Sequence, residues 1–130
     1  MGNTPENFIN KFNNNEFNFE IEASYDVRKP AKITFQPQSD IETYNSQIFA
    51  NAIMDTLAHF KQLKEVIIDM EKVSYVSSTG IGSLIQILTY VKKNNLHLSV
   101  CNTQPAIQAT IDLLGFTIYS QPQQPKPNGE

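Results

Sequence analysis

An unbroken apolar run, from Val66 to Ile68, stands between two segments of helical periodicity and constrains the fold more than any other feature. Runs of this kind are typical of strands that are covered on both faces, as in a parallel sheet. Apolar residues recur at helical spacing from Ile48 to Phe60 before the run, and from Ile81 to Val91 after it. The sequence therefore predicts an α/β domain in which a central strand is flanked by two helices.

Further strands are indicated by apolar residues that alternate with polar ones, which is the pattern of a strand with one buried face. Residues 17–21, 31–35 and 96–100 alternate in this way. The first two segments are able to pair as a hairpin across residues 25–30. A short last strand is expected over residues 116–118.

Capping residues indicate where the helices begin. Ser39 and Asp40 can accept hydrogen bonds from free backbone N–H groups, so the first helix is expected to start there and to end near Phe60. The second helix is expected over residues 79–93, and the third over residues 103–115. The predicted buried stripe of the second helix consists of Ile81, Leu84, Ile85, Leu88 and Val91.

The predicted order, β-β-α-β-α-β-α-β, contains repeated crossover connections, so we expect a mixed sheet of four to five strands with parallel central strands and about three to four helices packed on it. A chain of 130 residues has room for one core. Residues 1–15 carry few large apolar side chains, and residues 120–130 are rich in proline and glutamine. We expect both to be flexible tails around a domain of residues 16–119.

Composition excludes several function classes. The formal charge of -3 and the pI near 5.3 reveal no basic stripe, which argues against a nucleic-acid partner. The single cysteine excludes an intrachain disulfide and a multi-cysteine zinc site, and no metal or cofactor is expected. The first residues lack the pattern of a signal peptide, and no apolar run approaches the roughly 20 residues of a membrane span. We therefore expect a cytoplasmic protein without membrane insertion.

Three consecutive hydroxyl residues, Ser77, Ser78 and Thr79, precede Gly80 at the start of the second helix. Such residues commonly cap helices, and this is the simplest interpretation, with Ser78 as the expected cap. The side of the helix opposite the apolar stripe is nevertheless unusual. It begins with small uncharged residues, namely Thr79, Gly82, Ser83 and Gln86. Another protein could approach the backbone closely here, although the glycines could equally serve close packing inside the fold.

With these motifs the sequence resembles the STAS family, and most closely the bacterial anti-sigma factor antagonists. The resemblance runs through residues 66–70, 73–76, 77–82 and 105–115, and it covers about residues 17–119. It implies the STAS fold and a protein-binding module rather than an enzyme.

In that family, the serine or threonine immediately before the glycine is phosphorylated by a kinase that is also the anti-sigma factor. Thr79 matches this position and Ser78 is the second choice, while Ser77 stands where the family usually has aspartate. Asp69 and Asp40 match acidic residues of the family, although one could simply end a strand and the other cap a helix. The predicted partner-binding surface consists of Asp40, Asp69, Ser77, Ser78, Thr79, Gly80, Gly82, Ser83 and Gln86.

The resemblance implies a partner switch in which the unmodified protein sequesters the anti-sigma factor kinase and a phosphatase resets the phosphorylated form. An unmodified structural subunit of a signalling or lipid-transport complex would share the fold and stays open. Catalysis is disfavoured because His59 and His97 lie in no motif with the hydroxyls, and nucleotide binding because no glycine-rich phosphate loop follows a strand. Tyr75 and Tyr90 are interpreted as packing residues, and Cys101 as a buried thiol.

Overall fold

The fold was obtained as a computed structural model, which describes residues 4–28 and 30–113. Four strands form one sheet in the order of the sequence: β1 (Ile21–Asp26), β2 (Ala31–Pro37), β3 (Leu63–Asp69) and β4 (His97–Cys101). The first two strands are antiparallel, and β2, β3 and β4 are parallel. The predicted mixed sheet with parallel central strands is confirmed.

The helices are α1 (Pro5–Ile9), α2 (Ser46–His59), α3 (Ser78–Lys93) and α4 (Pro105–Leu113). A 3-10 turn, Asn10–Phe12, follows α1. Each of the two long helices, α2 and α3, connects two neighbouring parallel strands, as a β-α-β unit requires. The predicted end of the third helix at Gly115, the last strand at residues 116–118 and the tail of residues 120–130 lie outside the described residues.

Strand β3 is central, but its two faces differ. Val66 and Ile68 are fully buried in the core that α2 and α3 also enter, whereas Ile67 is only half-buried. Its register partners explain the difference, because Ile67 lies opposite Thr34 of β2 and Ser99 of β4. The apolar run therefore identifies the strand correctly, while the expected burial on both faces is wrong for Ile67.

The first strand begins later than the alternation of residues 17–21 predicts. Asn14 and Phe19 pair in an isolated antiparallel bridge, and Asn18 adopts a left-handed φ of 50° between them. This turn separates Phe17 and Phe19 from strand β1, which starts at Ile21. Phe19 is nonetheless buried, so the alternation reflects a turn that packs on the core.

Residues 4–15 also differ from the flexible tail expected there. Thr4 accepts a hydrogen bond from Asn7 N at 3.3 Å and caps α1, with Pro5 in the first turn. Ile9 is completely buried in the core, and the Phe8 ring stacks on His59 of α2 at a centroid distance of 4.8 Å. The few apolar residues of this segment thus lie on one side of a short helix that packs on the domain.

Helix α2 begins at Ser46, later than the predicted start at Ser39 and Asp40, and its N-cap residue is Asn45. Asn45 is fully buried and its side chain binds the preceding loop, accepting from Glu42 N at 2.8 Å. The predicted role of Asp40 as a helix cap is wrong, since its carboxylate binds another loop.

Candidate functional site

The segment before α2 pairs with the loop before α3. Ile41 forms a parallel bridge with Val76, in which Ile41 N donates to Tyr75 O at 3.1 Å and Ser77 N donates to Ile41 O at 2.9 Å. The Asp40 carboxylate accepts hydrogen bonds from Ser74 N at 2.8 Å, Ser74 Oγ at 3.0 Å and Tyr75 N at 3.1 Å. Asp40 therefore holds the loop that leads into α3.

We expect Asp40→Ala to lower the free energy of unfolding by about 1.5 kcal/mol, because hydrogen bonds to a charged group contribute more than neutral ones but this site is partly exposed. Denaturant unfolding followed by circular dichroism would measure the change. Asp55→Ala, which removes an exposed carboxylate from α2, is the matched control and should change stability by less than about 0.5 kcal/mol. Equal stability of both variants would contradict the role given to Asp40.

The three hydroxyls before Gly80 have distinct positions. Ser77 is the N-cap of α3 and its Oγ accepts from Gly80 N at 3.1 Å, so the preference for Ser78 as the cap is wrong. Thr79 is exposed, and its Oγ1 lies 3.0 Å from Ser77 Oγ and donates to Thr43 Oγ1 at 2.8 Å. Thr79 thus stands in a cluster of three side-chain hydroxyls at the helix N-terminus.

The two glycines of α3 serve different purposes. Gly80 is buried, and a Cβ atom there would lie 2.6 Å from Val76 Cγ1 and 2.8 Å from Ile41 O. A Cβ atom on Gly82 would meet no atom of the described residues within 4 Å. Gly80 is therefore explained by close packing inside the fold, and because it is buried it offers no surface to a partner. Gly82, in contrast, leaves open space on the surface.

That space is a shallow groove of about 430 Å³ between the first turns of α2 and α3. Among the described residues, its lining contains no charged side chain: Ser46 and Gln47 come from α2, and Ser78, Thr79, Gly82, Ser83 and Gln86 from α3. Helix α3 is rotated relative to the predicted stripe. Ser83 is buried and donates to Gly80 O at 2.5 Å, while Ile85 is 41% exposed.

Asp69 lies apart from the hydroxyl cluster. Its carboxylate accepts from Gln36 Nε2 at 3.0 Å, Asn102 Nδ2 at 2.8 Å and Glu71 N at 3.1 Å, and it lines a separate depression beside β1 and β2. The structure brings Asp69 together with the ends of its neighbouring strands rather than with Thr79. Its part in partner binding stays a prediction.

Sequence reasoning missed three residues around the hydroxyl cluster. Thr43 contacts Thr79 directly, although no motif in the chain marks it. Tyr44 and Tyr75 are 50% and 53% exposed beside Thr43 and Ser74, so the interpretation of Tyr75 as a packing residue is wrong. Exposed aromatic residues are frequent anchors of protein interfaces, and the two tyrosines close in sequence to Thr43 and Ser77 are the signal that could have been used.

The described residues offer little for catalysis. His59 stacks on Phe8 and the exposed His97 begins β4, and neither forms a hydrogen bond with the hydroxyl cluster in the part of the chain that the structure describes. Cys101 is buried, as expected, and burial together with nearby Asp69 raises the pKa of its thiol to about 11, which disfavours the thiolate.

Within residues 4–28 and 30–113, no group of three histidine, cysteine or acidic side chains is arranged to hold a metal ion. The same residues contain no helix with the length and apolarity that crossing a membrane requires.

Comparison with known proteins supports one family. Residues 18–123 match the STAS domain family. The fold is also similar to SpoIIAA, the Bacillus cell fate determinant, in its phosphorylated form, with a TM-score of 0.61, 10% identity and coverage of 82% of this chain and 95% of that chain. An anti-sigma-factor antagonist (STAS) domain protein from Planctomyces limnophilus gives a TM-score of 0.63 at 15% identity, covering 83% and 93% of the two chains.

A larger protein contains the same fold. The murine anion transporter Slc26a9 superposes with a TM-score of 0.61 and 20% identity, covering 72% of this chain but only 16% of the transporter. At these identities the structural matches establish the fold alone.

Proposed function

The chain belongs to the STAS domain family, and on that premise we propose that it is an anti-sigma factor antagonist. In this proposal the unmodified protein binds an anti-sigma factor kinase through the groove between α2 and α3. The kinase phosphorylates Thr79, the complex dissociates, and a phosphatase restores the unmodified form in the cytoplasm of a bacterium. The protein itself acts as a binding module and not as an enzyme.

The observation that carries this proposal is the exposed Thr79 hydroxyl at the edge of an uncharged groove. Because Thr79 Oγ1 bonds only to the hydroxyls of Ser77 and Thr43 in the described residues, modification breaks no backbone hydrogen bond. In the transfer, the bond between the γ-phosphorus of ATP and its bridging oxygen breaks while the bond to Thr79 Oγ1 forms. ADP leaves, and the hydroxyl proton passes to a base of the kinase or to water.

Phosphorylation would add about -1.5 to -2 charges at a point where the groove has none. The N-terminus of α3 favours an anion, so the domain keeps its fold and only the surface changes. Ser77 occupies the position of the family's aspartate and performs the capping of Gly80 N with a neutral hydroxyl. No carboxylate from this position therefore opposes the phosphate.

The test is a binding assay between the full chain and the histidine-kinase-like ATPases of its own cell. We expect Thr79→Ala to bind about as well as the wild type and Thr79→Glu to bind at least about tenfold more weakly, which corresponds to about 1.4 kcal/mol. With γ-labelled ATP, the wild type and Ser78→Ala should incorporate label and Thr79→Ala should not.

Thr89→Glu is the matched control, because it adds the same charge to an exposed threonine nearer the other end of α3. It should bind the kinase like the wild type. Equal binding by the wild type, Thr79→Ala and Thr79→Glu would contradict the partner switch. Label on Ser78 alone would show that Ser78, and not Thr79, is the phosphorylated residue.

A second function is a permanently unmodified STAS subunit of a signalling or lipid-transport complex. The two hydrogen bonds of Thr79 favour it, since they also suit a hydroxyl that serves only to join α3 to the segment before α2. The intact mass of the protein from its native cells distinguishes the two functions. A single unmodified mass under every growth condition would support the subunit.

A further inference from the structure

A second surface lies at the opposite end of α3. Three adjoining depressions share Lys64, which lies at the end of the sheet where the parallel strands begin. The largest of the three, about 590 Å³, is also lined by Lys92 and His97. Lys61 lines the third depression. Glu65 is the one carboxylate among the residues that line the three depressions in the described part of the chain. Cations therefore outnumber anions on this surface.

The topology explains why basic residues gather here. The parallel strands β2, β3 and β4 all begin at this end of the sheet, and helices α2 and α3, which connect them, end there. Lysines near the C-termini of these helices also interact favourably with the helix dipoles. Residues far apart in the sequence are thus neighbours in space.

The turn between β1 and β2 reaches the same surface. Val27, the first residue of this turn, is 70% exposed, and both Val27 and Lys64 line one of the depressions. Arg28 forms an ion pair with Asp26 at 2.6 Å, so these two side chains together add no net charge to the turn. We call the surface formed by Lys61, Lys64, Lys92 and Val27 the basic end.

We propose that the basic end docks the protein on membrane surfaces that contain anionic lipids. Lysines from several parts of the chain around the exposed Val27 side chain suit a negatively charged interface, where each lysine contributes about 1 kcal/mol, or about fivefold in affinity. Single-stranded nucleic acid fits less well because it stacks on exposed aromatic rings, and the two tyrosines that line the depressions, Tyr25 and Tyr90, are partly buried.

Docking in this way leaves the hydroxyl cluster free. Helix α3 contains 16 residues, so its length of about 24 Å separates the turn that carries Lys92 from the turn that carries Thr79. A protein bound to lipid through the basic end presents the groove away from the membrane. The proposal does not depend on phosphorylation of Thr79, and either one can fail alone.

The test is cosedimentation of the full chain with phosphatidylcholine vesicles, with and without about one third phosphatidylserine, at low salt. We expect binding only to the anionic vesicles and its loss at about 0.5 M salt. Lys64→Glu removes one positive charge and adds one negative charge, so binding should fall about 25-fold. Lys72→Glu makes the same change in charge at the opposite end of the sheet, just after the end of β3, and should alter binding less than about twofold.

The Val27→Ser variant distinguishes binding to a membrane from binding to other polyanions. We expect it to weaken vesicle binding about fivefold, through lost apolar contact, and to leave heparin binding unchanged. Thermal unfolding of each variant verifies that the fold is intact. No binding to anionic vesicles, an equal effect of Lys64→Glu and Lys72→Glu, or tighter binding to RNA than to vesicles would overturn the proposal.

Discussion

Ile9→Ala should lower the free energy of unfolding by about 3 kcal/mol. Ile9 is completely buried in the core although it precedes the first strand by twelve positions. Truncation to alanine leaves a cavity that the short helix α1 can only partly close. For a domain of this size, the melting temperature should fall by roughly 10 °C.

Phe17→Ala is the control for this prediction, since it removes a larger apolar side chain from the same part of the chain. Phe17 is 40% exposed, and we expect its loss to cost less than about 1 kcal/mol. Far-UV circular dichroism in denaturant is a suitable probe because the chain has no tryptophan. A stable Ile9→Ala variant would mean that α1 does not hold its place on the core.

Gly80→Ala should destabilise the protein by about 2 kcal/mol. The new methyl group would lie 2.6 Å from Val76 Cγ1 and 2.8 Å from Ile41 O, and Ile41 O cannot retreat without losing its bond to Ser77 N. Overpacking of this kind costs up to about 3 kcal/mol, from which the helix propensity of alanine recovers about 1 kcal/mol. The loop that carries the hydroxyl cluster should shift as well.

Gly82→Ala provides the opposite expectation on the same helix. Because a methyl group there meets no atom of the described residues within 4 Å, only the gain in helix propensity remains, and stability should rise by up to about 1 kcal/mol. Parallel denaturant titrations of the two variants measure both effects. If both substitutions stabilise the protein, the inference that Gly80 has no room for a methyl group is wrong.

Most of the fold could be predicted because periodicity reports directly on burial. The run from Val66 to Ile68, the helical spacing around it and the alternation in β2 and β4 identified three strands and both long helices. The N-terminal segment could not be predicted in this way. A helix of five residues has too few positions to display a period, and Asn18 turns the chain in a conformation that alternation does not reveal.

The site was predictable only in part, because its geometry depends on contacts between distant segments. The hydroxyls before Gly80 were found from their order along the chain. Thr43, however, reaches Thr79 only because Ile41 pairs with Val76, and no local pattern specifies that bridge. The basic end escaped notice for the same reason, since a net charge of -3 averages over cations that the topology brings together.

The order of strands in the sheet has a consequence for how the protein is made. Strand order follows sequence order from β1 to β4, so each strand pairs with the one before it as soon as that strand exists. Among the strands of residues 4–28 and 30–113, each pairs with its neighbour in the sequence, and none waits for a strand that is made later than the next one. The sheet can therefore grow strand by strand on the ribosome, which shortens the time that an unpaired edge is exposed to aggregation.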